Sequence, residues 1–178
     1  MFFSVFYYFQ FFSFCGCPKQ LHYSVFNKFL KGRKRDDIFY FAEEFINKNI
    51  CQKYYAPAIE RLEEARKNNS YLLLLSSSPD EITSIFSKKL AFHSYKSTQY
   101  LVDKQNIFTD ISFLMDGEAK ASFALSKAKE LKISENNIDV YTDSFWDLPL
   151  LEIAGKSICV NPDRKLKKIA KQRGWEII

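Results

Sequence analysis

Two carboxylates, Asp143 and Asp147, lie just beyond the short apolar run NIDVY, within the stretch VYTDSFWDLPLLEIAGKSICVNPD from 140 to 163. That run reads as a buried strand, and a carboxylate at the carboxyl end of a strand stands where α/β sheets do chemistry. Two upstream features fit the same chemistry. The run LLLLSSSPDE, Leu72 to Glu81, ends in three hydroxyls, and DGEAKASF sets Lys120 near a helix start. Together they predict a phosphate and metal site. Phosphoryl transfer needs a divalent cation, donors for the non-bridging oxygens, and a nucleophile opposite the leaving oxygen. Asp143 suits Mg²⁺, which prefers carboxylate and water oxygens. Asp147, four residues on, can orient Asp143, a metal-bound water or a nearby lysine. Ser76 can donate its hydroxyl to a phosphoryl oxygen, and Lys120 can supply positive charge to the same oxygens.

Each feature also has a plainer reading. An Asp-x-x-x-Asp pair fits a helix cap and a surface charge, and a helical lysine fits a solvated face. Lys120 differs from Lys127 and Lys129 in standing in a first turn, where a cation opposes the helix dipole and needs a partner.

The elements that must position these residues follow from periodicity. Residues 1–68 read as helical, with helix-spaced apolar positions at Ile38, Phe41, Ala42, Phe45 and Ile46 and again at Ala58, Ile59, Leu62 and Ala65. From residue 71 strand and helix alternate: YLLLL, PDEITSIFSKKLA, a hairpin across STQYLVDKQNIFTDISFLM, EAKASFALSKAKELK, NIDVY, FWDLPLLEIA, SICV, PDRKLKKIAKQR and WEII. Such alternation predicts helices on both faces of a largely parallel, Rossmann-like sheet. Ser78-Pro79-Asp80-Glu81 predicts a helix start with Ser78 as N-cap, proline at the first position and a glutamate closing a capping box. Its free N–H groups would make Ser76, Ser77 and Ser78 an anion-binding loop; a strand-to-helix turn that binds nothing is the alternative.

Composition narrows the class. A chain of 178 residues forms one core with a small satellite. Cysteines 15, 17, 51 and 159 are too few and too uneven to staple a secreted fold, and histidines 22 and 93 lack zinc-site spacing, which favours the reducing cytoplasm. Cys15 and Cys17 read as small buried residues. The net charge of +5 is mild and gathers in DRKLKKIAKQR, a solvated helix face without the interleaved aromatics of a nucleic-acid surface. The aromatic N-terminus MFFSVFYYFQFFSF invites a membrane reading. As a helix, however, residues 2–15 span about 21 Å, against a hydrocarbon core of roughly 30 Å, and no basic segment precedes them. A buried or substrate-facing helix is expected there, with membrane contact as the alternative.

LLLLSSSP with Ser76, GEAK with Lys120, and YTDSFWDLPLL with Asp143 and Asp147 together resemble the haloacid dehalogenase superfamily of phosphatases, in the branch similar to phosphoserine phosphatase. ICVNPDRKLKKIAKQRGWEII is similar to the end of that branch. The resemblance implies a helical cap at 1–68 and an α/β core at 69–178, with Ser76, Lys120 and Asp147 in catalysis. Ser76, Ser77, Ser78 and Lys120 would bind a small phosphorylated substrate, and Asp143 would hold Mg²⁺. It also implies an aspartyl-phosphate mechanism, in which a first-strand aspartate attacks a phosphomonoester and a second, two residues later, protonates the leaving group. No two aspartates in this chain are separated by one residue. The first central strand is therefore expected to be missing, the core incomplete and the chain inactive as it stands, because of a start too far downstream. Thr142 stands where glycine is common and could narrow the approach to Asp143. The apolar cap leans toward a lipid-like or aromatic phosphate. Two other readings remain: a non-catalytic phosphate-binding protein, and a membrane-associated protein acting through its aromatic N-terminus.

Overall fold

The computed structural model describes residues 18–49 and 54–178. The readings for the aromatic N-terminus and for Cys15, Cys17 and Cys51 lie outside the described residues. The first described helices are α1 (Pro18–Val25), which runs into a π-helical turn at Phe26–Leu30, α2 (Arg35–Asn49) and α3 (Ala56–Lys67). Strand and helix then alternate: β1 (Leu73–Pro79), α4 (Asp80–Lys89), β2 (Ser94–Val102), β3 (Phe108–Phe113), α5 (Gly117–Glu130), β4 (Asp139–Thr142), α6 (Leu148–Glu152), β5 (Lys156–Cys159), α7 (Arg164–Arg173) and β6 (Glu176–Ile177). The elements follow the sequence periodicity closely.

Their assembly differs from a single parallel sheet. Among the described residues there are two three-stranded sheets, ordered β1-β2-β3 and β4-β5-β6. β1 and β2 are parallel, β2 and β3 form the antiparallel hairpin, and β4, β5 and β6 are parallel. β1 and β4 each pair on one side only, so no ladder joins the sheets.

Side-chain packing joins them instead. Val140 of β4, Leu151 of α6, Cys159 of β5 and Leu166 of α7 form the main core with Ala121 and Ala124 of α5, and Leu75 of β1 packs against it. The helical segment docks on the first sheet through Phe26, Ile38 and Phe108, with the Phe26 and Tyr100 ring centroids 4.9 Å apart. Ile46 of α2 meets Ile85 of α4. Phe41, expected on the inner face of α2, is 46% exposed and lies edge-on to Tyr40. α2 buries a narrower stripe than its sequence suggests, ending at Ile46.

The helix after β1 also starts differently from its sequence signature. It begins at Asp80 with Pro79 in the cap position and no side-chain cap bond. The Ser76 hydroxyl oxygen accepts the Ser78 N–H at 3.1 Å, and Glu81 is drawn away by Arg35, whose Nε donates to Glu81 Oε1 at 2.7 Å. Asp80 accepts from the Ser97 hydroxyl at 2.8 Å. The half-exposed Arg35 thus takes the Glu81 carboxylate that a capping box would have used.

Candidate active site

The hydroxyl loop owes its shape to a slip in strand register. β1 and β2 pair regularly to Ser76↔Ser97 and resume at Pro79↔Thr98, so Ser77 and Ser78 bulge from the ladder. The bulge turns the loop out of the sheet just ahead of the N-terminus of α4, where N–H groups and the helix dipole favour an anion. Ser76 accepts the Ser78 N–H and keeps its own proton to donate. The Ser77 hydroxyl donates to the Met115 carbonyl at 2.7 Å, so it anchors the loop. Thr98 reinforces the joint: its hydroxyl donates to the Ser77 carbonyl at 2.8 Å and accepts the Met115 N–H at 3.2 Å.

Met115 leads into α5. Asp116 caps that helix by accepting the Ala119 N–H at 3.0 Å, and one turn in stands Lys120, 6% exposed. Its ammonium donates to Asp147 Oδ1 at 2.7 Å, while Asp147 Oδ2 accepts from the Thr142 hydroxyl at 2.7 Å. Of the three uses open to Asp147 in the sequence, the structure adopts the lysine. Thr142 is buried with its hydroxyl on Asp147, so it braces that carboxylate and does not block Asp143.

Asp143 follows β4 directly and is open to solvent. The protein packed on its flanks pushes its carboxyl above the ordinary carboxylate range; its own backbone N–H and Lys120 pull the other way, and the negative Asp147 and Asp163 add to the rise. A cation beside Asp143 would relieve that repulsion, which is the chemistry of a hard oxygen ligand. Among the described residues no group of three histidine, cysteine or carboxylate side chains is gathered to hold a metal. Asp143 therefore offers one ligand, and further oxygens would have to come from elsewhere.

Two participants carry no signal in the sequence motifs. Asp163 caps α7 through Oδ1, accepting the Lys165 and Leu166 N–H groups, and its Oδ2 accepts the Phe145 N–H at 2.6 Å. Its own N–H donates to the Asp143 carbonyl at 2.9 Å. The signal available was an aspartate just ahead of a basic helix, which marks a cap but not the second reach. His22 of α1 is 5% exposed, and burial first and Lys120 second hold its imidazole below the usual range. It brings the helical segment into the electrostatic neighbourhood of Lys120.

Residues 18–152 match the family of haloacid dehalogenase-like hydrolases. The chain belongs to this family. Within it, the chain falls in the branch similar to phosphoserine phosphatase. It is 25% identical over 151 residues to phosphoserine phosphatase SerB1 of Mycobacterium tuberculosis, a match covering 84% of this chain and 49% of that protein. The fold is similar to that of a Bordetella pertussis protein of unknown function, with a TM-score of 0.72 and 19% identity over 82% of this chain and 67% of that one. It is also similar to a substrate-bound phosphoserine phosphatase, with a TM-score of 0.58 and 19% identity over 68% of this chain and 56% of that one. The chain spans about half the length of the curated relatives it matches.

Proposed function

We propose that this chain supplies the phosphate-holding and cation-holding part of a Mg²⁺-dependent phosphomonoesterase. In this reading residues 1–68 form the helical cap and 69–178 the α/β core. Ser76 donates its hydroxyl to a phosphoryl oxygen beside the N-terminus of α4. Lys120 directs positive charge at the same oxygens, held in place by Asp147, and Asp143 holds the metal. Mg²⁺, when bound, would neutralise phosphate charge as the bond to the leaving oxygen breaks. Lys120 is the residue that needs this explanation most: a cation inside the first turn of a helix, buried against one carboxylate, is costly unless it serves a site. The observation that carries the proposal is this buried Lys120–Asp147 pair, made by two residues of the family motifs 27 positions apart.

Turnover also requires a carboxylate nucleophile, and no Asp-x-Asp occurs in this sequence. That absence favours a second reading for the chain alone, phosphate binding without hydrolysis. The relative named phosphoserine phosphatase points to a small phosphorylated substrate, and the exposed aromatic rings of Tyr23, Phe39 and Phe41 on the helical segment suit an apolar leaving group.

The test is hydrolysis of p-nitrophenyl phosphate by the chain as it stands and by the chain extended upstream with an Asp-x-Asp strand from a relative. The expected result is Mg²⁺-dependent turnover by the extended protein alone, lost on the order of 10²-fold or more in its Asp143→Asn and Lys120→Met forms. Full activity in the extended Asp143→Asn protein would refute the assignment.

A further inference from the structure

The structure assigns Gly117 the role of a positioning residue that sets the register between Lys120 and Asp147. The inference rests on the reading of that pair as part of the phosphate site, but its argument is purely one of contact. Gly117 opens α5 and is buried. A Cβ at this position would lie well inside van der Waals distance of the Trp146 carbonyl oxygen and 3.2 Å from Cδ of Pro149. The atom in the way is backbone, so no rotamer change removes the conflict.

The glycine therefore lets the first turn of α5 rest directly on the short turn Phe145–Asp147. One helical turn later, on the same face, Lys120 reaches Asp147, the residue next to the carbonyl that Gly117 touches. The ion pair and the close approach are two ends of one contact. Upstream, Met115 ties the same segment to Ser77 and Thr98. Met115 to Lys120 thus spans from the hydroxyl loop of one sheet to the carboxylate turn of the other, between sheets that share no ladder among the described residues. A wedge at Gly117 would push α5 off the turn and move the ammonium away from both Asp147 and the loop.

Gly155 supplies the control. A Cβ there would collide just as closely with a backbone carbonyl, that of Asn136, away from Lys120 and Asp147. The experiment is amine acylation of the folded full chain, read residue by residue by mass spectrometry, with Lys129 as an exposed internal standard. In the unaltered protein Lys120 should be acylated at least tenfold more slowly than Lys129. Gly117→Ala should remove most of that protection, and Gly155→Ala should keep it. Protection of Lys120 that survives Gly117→Ala, or is lost equally in both variants, overturns the assignment. Should Gly117→Ala give no cooperative melt, Asp116→Ala loosens the same turn without adding an atom. Lys120 must then become more reactive, and unchanged protection again overturns the assignment. Labelling reports geometry, so its failure would leave the phosphatase reading standing, whereas absence of turnover in the extended protein would leave the register intact.

Discussion

Thr142 donates its hydroxyl to Asp147 Oδ2 at 2.7 Å, on the opposite side of the carboxylate from Lys120. The two donors fix Asp147 at the end of β4, and Thr142 also accepts the Ser144 N–H at 3.3 Å. A hydrogen bond to a buried charged group contributes about 1.5–3 kcal/mol. Thr142→Val keeps the shape and removes the donor, so it should lower stability by about 2 kcal/mol in urea unfolding. Thr142→Ser should recover most of the loss. A loss in Thr142→Ser with none in Thr142→Val would mean that the methyl group, not the hydroxyl, matters at this position.

Asp143 sets the pH behaviour of the site. Its carboxyl is raised in the folded protein, so the folded state binds this proton more tightly than the unfolded chain does. The contribution of this group therefore favours folding at low pH and is lost as pH climbs from the ordinary value of 3.8 through the raised folded value. Asp143→Asn removes the penalty. It should be more stable than the unaltered chain at pH 7, by no more than about 1 kcal/mol because the carboxylate is open to water, and the difference should vanish below the ordinary value. Added Mg²⁺ should stabilise the unaltered chain and not the variant. A variant that is less stable at pH 7, or that responds equally to Mg²⁺, would contradict this account.

The elements were legible in the sequence because their signals are local. The LLLL run, the alternation after residue 71, and the aspartate and glycine that open α5 act within a few residues of themselves. The candidate site was legible as far as residue type: Ser76 follows the LLLL run, Lys120 stands in a first helical turn, and Asp143 and Asp147 lie just beyond β4. What the sequence hid is made by distant partners. Glu81 has the spacing of a capping-box residue, yet it is 3% exposed and paired with Arg35, 46 positions away. No local pattern reports that competition. Periodicity alone does not divide β1 and β4 between two sheets, because apolar runs announce strands but not their neighbours. The hydroxyl of Ser77 likewise shows no sign of its partner until the fold brings up the Met115 carbonyl.

Asp163 joins two parts of the site that the sequence keeps apart, and its two oxygens can be tested separately. Oδ1 caps α7 and Oδ2 holds the Phe145 N–H, the first amide of the turn that carries Asp147. Loss of an N-cap costs about 0.5–2 kcal/mol. Asp163→Ala should lose this together with the Phe145 anchor. Asp163→Ser can still cap the helix but is too short to serve both ends. It should therefore retain most of the stability while the Phe145 amide exchanges faster with deuterium. If Phe145 exchange is unchanged in the serine variant, the bond across the loop does not hold the carboxylate turn. If exchange quickens and the cap survives, placement of Asp143 and Asp147 depends on a helix cap 16 residues beyond Asp147. The two carboxylates would then answer to α7 on one side and to α5 on the other.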